Sequence, residues 1–289
     1  MAVAPILVTG GTGQVARALE DAADGRAVRV VGRPALDFDR PETVPPLLRA
    51  AAPSLIVNAA AYTAVDKAES EPEAAYRANR DGPAAVAAYC AEAGIPLIHI
   101  STDYVFDGDK GMPYTEADPT SPTGVYGASK LAGERAVLAS GARAVILRTA
   151  WVYSATGKNF VLTMLNAARK TNRLRVVADQ RGCPTSAADL AAAILAIADG
   201  WDDRLAGVYH AAGSGETTWH GLATAVFARA ARHGLTAPAV DAIATADWPT
   251  PARRPADSRL DCAKLADAFG IRLPAWQDSV ARTVDAIMR

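Results

Sequence analysis

Short runs of aliphatic and β-branched residues alternate with longer, alanine-rich amphipathic stretches through the first half of the chain. The short runs predict strands at Ile6–Thr9, Val28–Gly32, Leu55–Asn58, Leu97–Ser101 and Ala144–Arg148. Apolar residues at helical spacing predict helices between them, over about 14–24, 42–51, 70–93 and 125–140. Strands that are apolar throughout, rather than alternately, must be buried on both faces, and the intervening helices supply the cover. Right-handed crossovers then make the expected core an α/β, doubly wound parallel sheet.

After about residue 150 the rhythm loosens. Helices are expected near 158–170, 187–199, 217–232 and 275–288, with a strand near 174–177. The stretch Trp248-Pro-Thr-Pro-Ala-Arg-Arg-Pro255 reads as an ordered loop. This divides the chain into a nucleotide-binding core over 1–150 and a smaller, mainly substrate-binding lobe over 151–289, which is free to cross back to the core. The lobe is expected to close over the carboxyl ends of the parallel strands, where ligands of such sheets bind.

Composition narrows the classes. A chain of 289 residues buries about three quarters of its unfolded surface and needs no disulfide or metal staple. The formal net charge is −1 and no polybasic tract occurs, so nucleic acid and anionic membrane are poor partners. Cys90, Cys183 and Cys262 are far apart and read as small buried hydrophobes in a reducing compartment. His99, His210, His220 and His233 are scattered without metal-ligand spacing, and no metal site is expected. The apolar run Val3 to Val8 is too short for a signal core or a membrane span. The longer stretch Ala50 to Val65 is interrupted by Pro53, Ser54 and Asn58. A cytoplasmic protein is expected.

Three clusters carry chemistry. Thr9-Gly10-Gly11-Thr12-Gly13-Gln14-Val15-Ala16 follows the first strand and opens the first helix. Glycines there permit a tight turn and let backbone N–H groups approach a pyrophosphate, the signature of a Rossmann-type dinucleotide site. An acid on the ribose would come roughly 20 residues after the glycines, but the second strand ends Val31-Gly32-Arg33. Arg33 suits a 2′-phosphate and favours NADPH, with NADH use left open. Tyr126 and Lys130 stand four apart, on one helical face, so an ammonium sits near a phenol whose ordinary pKa of about 10 is too high for easy proton transfer. Thr102, at the end of the fourth strand, offers a hydroxyl to a carbonyl oxygen that gains charge during hydride attack.

These three clusters together resemble the extended short-chain dehydrogenase/reductase family. Longer matches narrow the resemblance. They are Asn58 to Pro72, Ser101 to Phe106, Val125 to Glu134, Arg148 to Tyr153, Asn159-Phe160, Asp179 to Thr185 and Arg254 to Asp261. All are similar to dTDP-4-dehydrorhamnose reductases and together cover nearly the whole chain. The resemblance implies reduction of the 4-keto group of dTDP-4-dehydro-β-L-rhamnose, with Tyr126 as proton donor, Lys130 holding the cofactor ribose and Thr102 orienting the carbonyl. It places Gly10, Gly13, Gln14 and Val15 at the cofactor pyrophosphate, Asp37 and Phe38 near adenosine, and Ala60, Ala61 and Tyr62 along the cofactor. Asp103, Trp151, Asn159 and Arg254 are implied for the nucleotide-sugar cleft. As bare residues, Trp151 reads also as a core tryptophan, Arg254 as a loop charge, and Asp66, Lys67 and Glu69 as helix-start charges.

One departure concerns metal. Some members of the resembled group form dimers around Mg²⁺, held by glutamates in the first helix and after the Pro-Thr motif. Those positions are Ala18 and Ala188 here, with Glu20 and Asp189 displaced nearby. A metal-bridged dimer and a Mg²⁺ requirement are therefore not expected; a monomer or a plain homodimer stays open. A dehydratase is disfavoured because Tyr104, not a second acid, follows Asp103. A reductase or epimerase of another dTDP-4-keto-6-deoxy sugar stays open, as does a non-catalytic NADP-binding regulatory subunit, because fold does not set function.

Overall fold

Successive side chains of the core strands go to opposite faces, and each face has its own helical cover. In the computed structural model, which describes residues 4–289, the first half runs β1 (Ile6–Thr9), α1 (Gln14–Asp21), β2 (Val28–Val31), α2 (Val44–Ala51), β3 (Leu55–Asn58), α3 (Val65–Ala68), α4 (Pro72–Tyr76), α5 (Gly82–Ala93), β4 (Leu97–Thr102), α6 (Val125–Ala139) and β5 (Ala144–Thr149). Val3, the first residue of the apolar run Val3 to Val8, lies outside those residues. Val8, Val57, Ile98, Val145 and Leu147 meet Ala16 and Leu19 of α1 on one face. Leu7, Ile56, Leu97 and Ile146 meet Val44 and Leu48 of α2, Val86 and Cys90 of α5 and Val137 of α6 on the other.

The second half continues with β6 (Val152–Tyr153), α7 (Phe160–Ala168), β7 (Arg173–Val177), β8 (Arg181–Gly182), β9 (Thr185–Ser186), α8 (Ala187–Asp199), β10 (Gly207–His210), β11 (Thr217–Thr218), α9 (Trp219–Ala231), β12 (Ala239–Ile243), α10 (Ala263–Phe269) and α11 (Trp276–Met288). The chain returns to the core here. The sheet has six parallel strands in the order β10-β5-β4-β3-β1-β2, and Leu190 and Ile194 of α8 complete the face shared with α1. The remainder forms the small lobe. There Val161 and Leu165 of α7, Leu222, Val226 and Phe227 of α9, and Trp276, Val280 and Val284 of α11 pack around Tyr153 and Val176.

The five sheet strands expected in the first half form as expected, to within a residue at each end. The helix expected over 70–93 forms as one run from Pro72 to Ala93, but a wide π turn over Arg77–Asp81 lies within it, between α4 and α5. The extra residue in that turn brings Asn79 into the interior, fully buried, and Pro83 just beyond has no N–H to give to a regular turn. The strand β10 has no counterpart in the sequence reading, because Gly207-Val-Tyr-His210 is short and carries no turn signal of its own. Among the described residues, no helix is long and apolar enough to cross a membrane.

Candidate functional site

A cleft of about 940 Å³ opens where the sheet order reverses, between the carboxyl ends of β1 and β3 and the small lobe. Gly10 makes the turn into it with φ +112°, and a Cβ there would lie 3.0 Å from the Ala59 carbonyl carbon. A Cβ on Gly32 would lie 2.6 Å from Gly11 Cα. The glycines thus let three strand ends approach one another more closely than side chains allow. Gly13 precedes α1 without a side-chain cap, so the first N–H groups of that helix are left for an anion. Below the turn, Thr9 Oγ1 donates to Asn58 Oδ1 at 2.6 Å and accepts from the Ala60 N–H at 3.1 Å, which fixes the Ala59–Ala61 segment. This cradle fits a dinucleotide: backbone donors at a helix start, and no Cβ where a pyrophosphate must approach.

At the far end, Arg33 donates from Nε to Asp37 at 2.7 Å and from Nη2 to Asp39. Arg77 reaches Asp39 from the other side at 3.2 Å. Phe38 is buried against Gly82, where a Cβ would strike the ring, and its side chain lines the cleft. Asp37 does not line it, since its carboxylate is turned to the guanidinium. Gly10, Gly13, Gln14, Val15, Arg33, Ala60, Ala61 and Tyr62 do.

Thr102, Asp103, Tyr126 and Lys130 converge in the middle of the cleft. Gly127 permits this, because a Cβ there would meet the Tyr104 carbonyl oxygen at 2.1 Å and hold α6 away from β4. The Tyr126 ring meets Tyr104 edge to face, centroids 5.5 Å apart. Burial pushes the Tyr126 phenol up to about 12, and the Thr102 hydroxyl acts against that rise. Lys130 is 2% exposed and donates from Nζ to the Ile100 carbonyl at 2.6 Å. Burial lowers its pKa to about 8, opposed by the charge of Glu134. Asp103 accepts from Thr102 Oγ1 at 3.0 Å, its Oδ2 has no partner, and burial raises it to about 6. His99, hydrogen-bonded to Asn58 Nδ2 at 2.9 Å, is held well below its usual range, first by burial and then by Lys130.

Several residues here were not anticipated. Asn79 Oδ1 accepts from the Tyr62 N–H at 2.8 Å, while its Nδ2 donates to the Tyr62 carbonyl and to Ser129 Oγ at 2.9 Å. It ties the segment after β3 to α6, one turn beyond Tyr126. Trp219 forms a wall of the cleft with Trp151, which has φ +48° and lies on Gly182. Lys158 also lines the cleft, from the loop before α7. Only the π turn had a local trace, in the Asp81-Gly-Pro83 sequence; the other contacts join segments far apart in the chain.

Two residues expected in the cleft are engaged by other side chains at its edge. Asn159 caps α7, accepting from the Leu162 N–H at 3.0 Å, and its Nδ2 donates to Gln14 Oε1 at 2.9 Å. Its amide joins the start of α7 to the start of α1. Arg254 donates to Asp66 at 2.8 Å, and Asp66 also accepts from the Ala252 N–H. The pair pins the 248–255 loop to α3, and neither residue is among those lining the cleft. Asp189 is bound by Ser279 and Arg282, and among the described residues no group of three or more His, Cys, Asp or Glu is placed to hold a metal.

Residues 4–289 match the family model described as the RmlD substrate binding domain. A dTDP-4-dehydrorhamnose reductase of Sinorhizobium fredii is 49% identical over 98% of this chain and 97% of its own. The crystal structure of a dTDP-4-dehydrorhamnose reductase from Clostridium acetobutylicum superposes with a TM-score of 0.92 at 35% identity, covering 99% of this chain and 100% of that one. The enzyme of the same name from Bacillus anthracis, solved in complex with NADP, also gives 0.92, at 31% identity and the same coverage.

Proposed function

The chain belongs to the RmlD substrate-binding-domain family of dTDP-4-dehydrorhamnose reductases, and we propose that it reduces the 4-keto group of dTDP-4-dehydro-β-L-rhamnose to dTDP-L-rhamnose with NADPH. The observation that carries this reading is the convergence of Thr102, Tyr126 and Lys130 at the centre of a cleft that begins at the glycine turn. NADPH, when bound, would supply the hydride. Thr102 Oγ1 and the Tyr126 phenol orient the substrate carbonyl. As the oxygen gains charge, Tyr126 donates its proton to it. The Lys130 ammonium stabilises the phenolate left behind and holds the cofactor ribose. Each turnover consumes one proton, so the equilibrium constant falls about tenfold per pH unit. Gly10, Gly13, Gln14 and Val15 hold the pyrophosphate, Ala60, Ala61 and Tyr62 flank the cofactor, Phe38 lies near adenosine, and Arg33 meets the 2′-phosphate. Asp103 and the Trp151–Trp219 wall serve the sugar. The reaction runs in the cytoplasm and needs no metal.

The test is NADPH oxidation by the purified protein given enzymatically generated dTDP-4-dehydrorhamnose, with Tyr126→Phe alongside. The native protein should yield dTDP-rhamnose. The variant should lose about 10²–10⁴-fold in kcat while binding NADPH within about threefold of native. Cofactor binding without turnover would overturn the substrate and favour another 4-keto-6-deoxy sugar or a regulatory subunit.

A further inference from the structure

Tyr126, Lys130 and Glu134 stand one turn apart on one face of α6, and the last has no part in the chemistry described so far. Glu134 is 1% exposed. Its carboxylate accepts from Arg148 Nε at 3.0 Å and Nη2 at 2.7 Å, and from the Ser101 hydroxyl beside Thr102. Arg148 is itself 5% exposed, lies over the Phe106 ring at 5.1 Å, and has no partner for Nη1. A buried ion pair of this kind adds little stability over well-packed apolar side chains, because desolvation offsets the attraction. It does hold a negative charge rigidly behind the lysine.

The groups around Lys130 explain why that charge matters. Glu134 acts on Lys130 from α6, and Lys130 acts in turn on His99 of β4; Asp103, at the end of β4, acts on Tyr126, Arg148 of β5 is paired to Glu134, and His210 of β10 feels Arg148. Both histidines are held neutral, chiefly by burial, with Lys130 acting on His99 and Arg148 on His210. Two buried cations therefore share this region with two carboxylates, and of the two Asp103 binds its proton unusually tightly. Without Glu134, Lys130 would lose the one carboxylate that acts on it, and Arg148 would stand unpaired in the same interior.

We propose that Glu134 is the positioning residue of this site: clamped by Arg148 and Ser101 one turn below Lys130, its carboxylate keeps that side chain an ammonium aimed at the cleft. The proposal rests on the reading of Tyr126 and Lys130 as the reacting pair. It makes breaking the same ion pair from either side have opposite consequences. Glu134→Gln leaves Arg148 unopposed, whereas Arg148→Met leaves Glu134 free to act on Lys130.

The experiment measures kcat/KM and NADPH dissociation constants from pH 6 to 10 for native protein, Glu134→Gln, Arg148→Met and the double variant. In Glu134→Gln the alkaline limb of both profiles should move about one unit toward acid. The loss at pH 8 should then be about fivefold and recover at lower pH. In Arg148→Met the limb should move toward alkali. In the double variant, which buries no unpaired charge and remains informative if a single variant fails to fold, it should fall between native and Glu134→Gln. Unmoved limbs, or limbs displaced the same way in both single variants, would reduce Glu134 to a stability pair and overturn the proposal. Native protein that binds NADPH without turnover overturns the proposed substrate, while the binding profiles still decide the role of Glu134.

Discussion

Trp151 and Trp219 lie face to face, ring centroids 3.5 Å apart and planes 6° from parallel. One leaves the core sheet between β5 and β6, and the other opens α9 in the small lobe. Trp151 reaches this position through a positive φ that disfavours any residue with a Cβ, a strain tolerated most readily where a functional wall depends on it. Trp219 is held in turn by its Nε1–H to Gln180 Oε1 at 3.0 Å. The pair joins two segments 68 positions apart in the chain into one stacked aromatic wall.

Trp219→Ala should therefore release Trp151 and loosen the sugar more than the cofactor. We expect the KM for the keto sugar to rise about tenfold, equivalent to about 1.4 kcal/mol, with the NADPH dissociation constant within about twofold of native. Steady-state kinetics and a cofactor titration check this. Equal losses for sugar and cofactor would place the wall on the cofactor side.

Asp103→Asn should make the protein more stable and less active. A carboxyl raised to about 6 in the fold prefers its protonated form there, whereas in the unfolded chain it ionises near 3.8. Folding therefore loses stability as pH rises through that interval, and the loss is complete above it. The gain from Asn should be near zero at pH 3.5 and on the order of 3 kcal/mol at pH 7.5. Urea unfolding at the two values would reveal it, and a gain independent of pH would refute the account.

Arg33→Ser should discriminate between the two cofactors. Arg33 is shared between Asp37 and Asp39, so a 2′-phosphate meets a cation already partly neutralised. We expect the NADPH dissociation constant to rise about tenfold, with NADH nearly unchanged. Asp39→Asn should do the reverse, tightening NADPH at low salt. Equal effects of Arg33→Ser on both cofactors would remove the arginine from the 2′-phosphate.

Asn159→Ala removes a helix cap and one of two donors to Gln14 Oε1, the other being Ser154 Oγ. Loss of the cap costs about 1 kcal/mol. If the Gln14 link sets the lobes over the cofactor, NADPH should also bind several-fold more weakly. A double-mutant cycle with Gln14→Ala should then show a coupling of about 0.5–3 kcal/mol. Strict additivity would leave Asn159 with its cap alone.

Much of the core was legible because its signals are local. The continuous apolar strands, the glycines between β1 and α1 and the spacing of Tyr126 and Lys130 each follow from a rule acting over a few residues. Continuous burial predicts the two-sided sheet, and the observed parity of Leu7 with Ile56 against Val8 with Val57 is its direct result. Arg33 was marked as a cation at the end of β2, but not its two carboxylate partners, because Asp37 and Asp39 reach it only after the chain turns back.

What the amino-acid order determined alone was the kind of fold, the start of the cofactor cradle and the helical face carrying phenol and ammonium. Tertiary structure alone decided which residues complete them. Trp219 meets Trp151, Arg254 meets Asp66, Asn79 reaches both Tyr62 and Ser129, and Glu134 meets Arg148 and Ser101, all across separate elements. No local pattern encodes such pairs, because a hydrogen bond or a stack depends on distance in space, and the folding of the intervening chain sets that distance. Asn159 shows the same thing: its amide is shared between the start of α7 and Gln14, a partner 145 positions away in the chain.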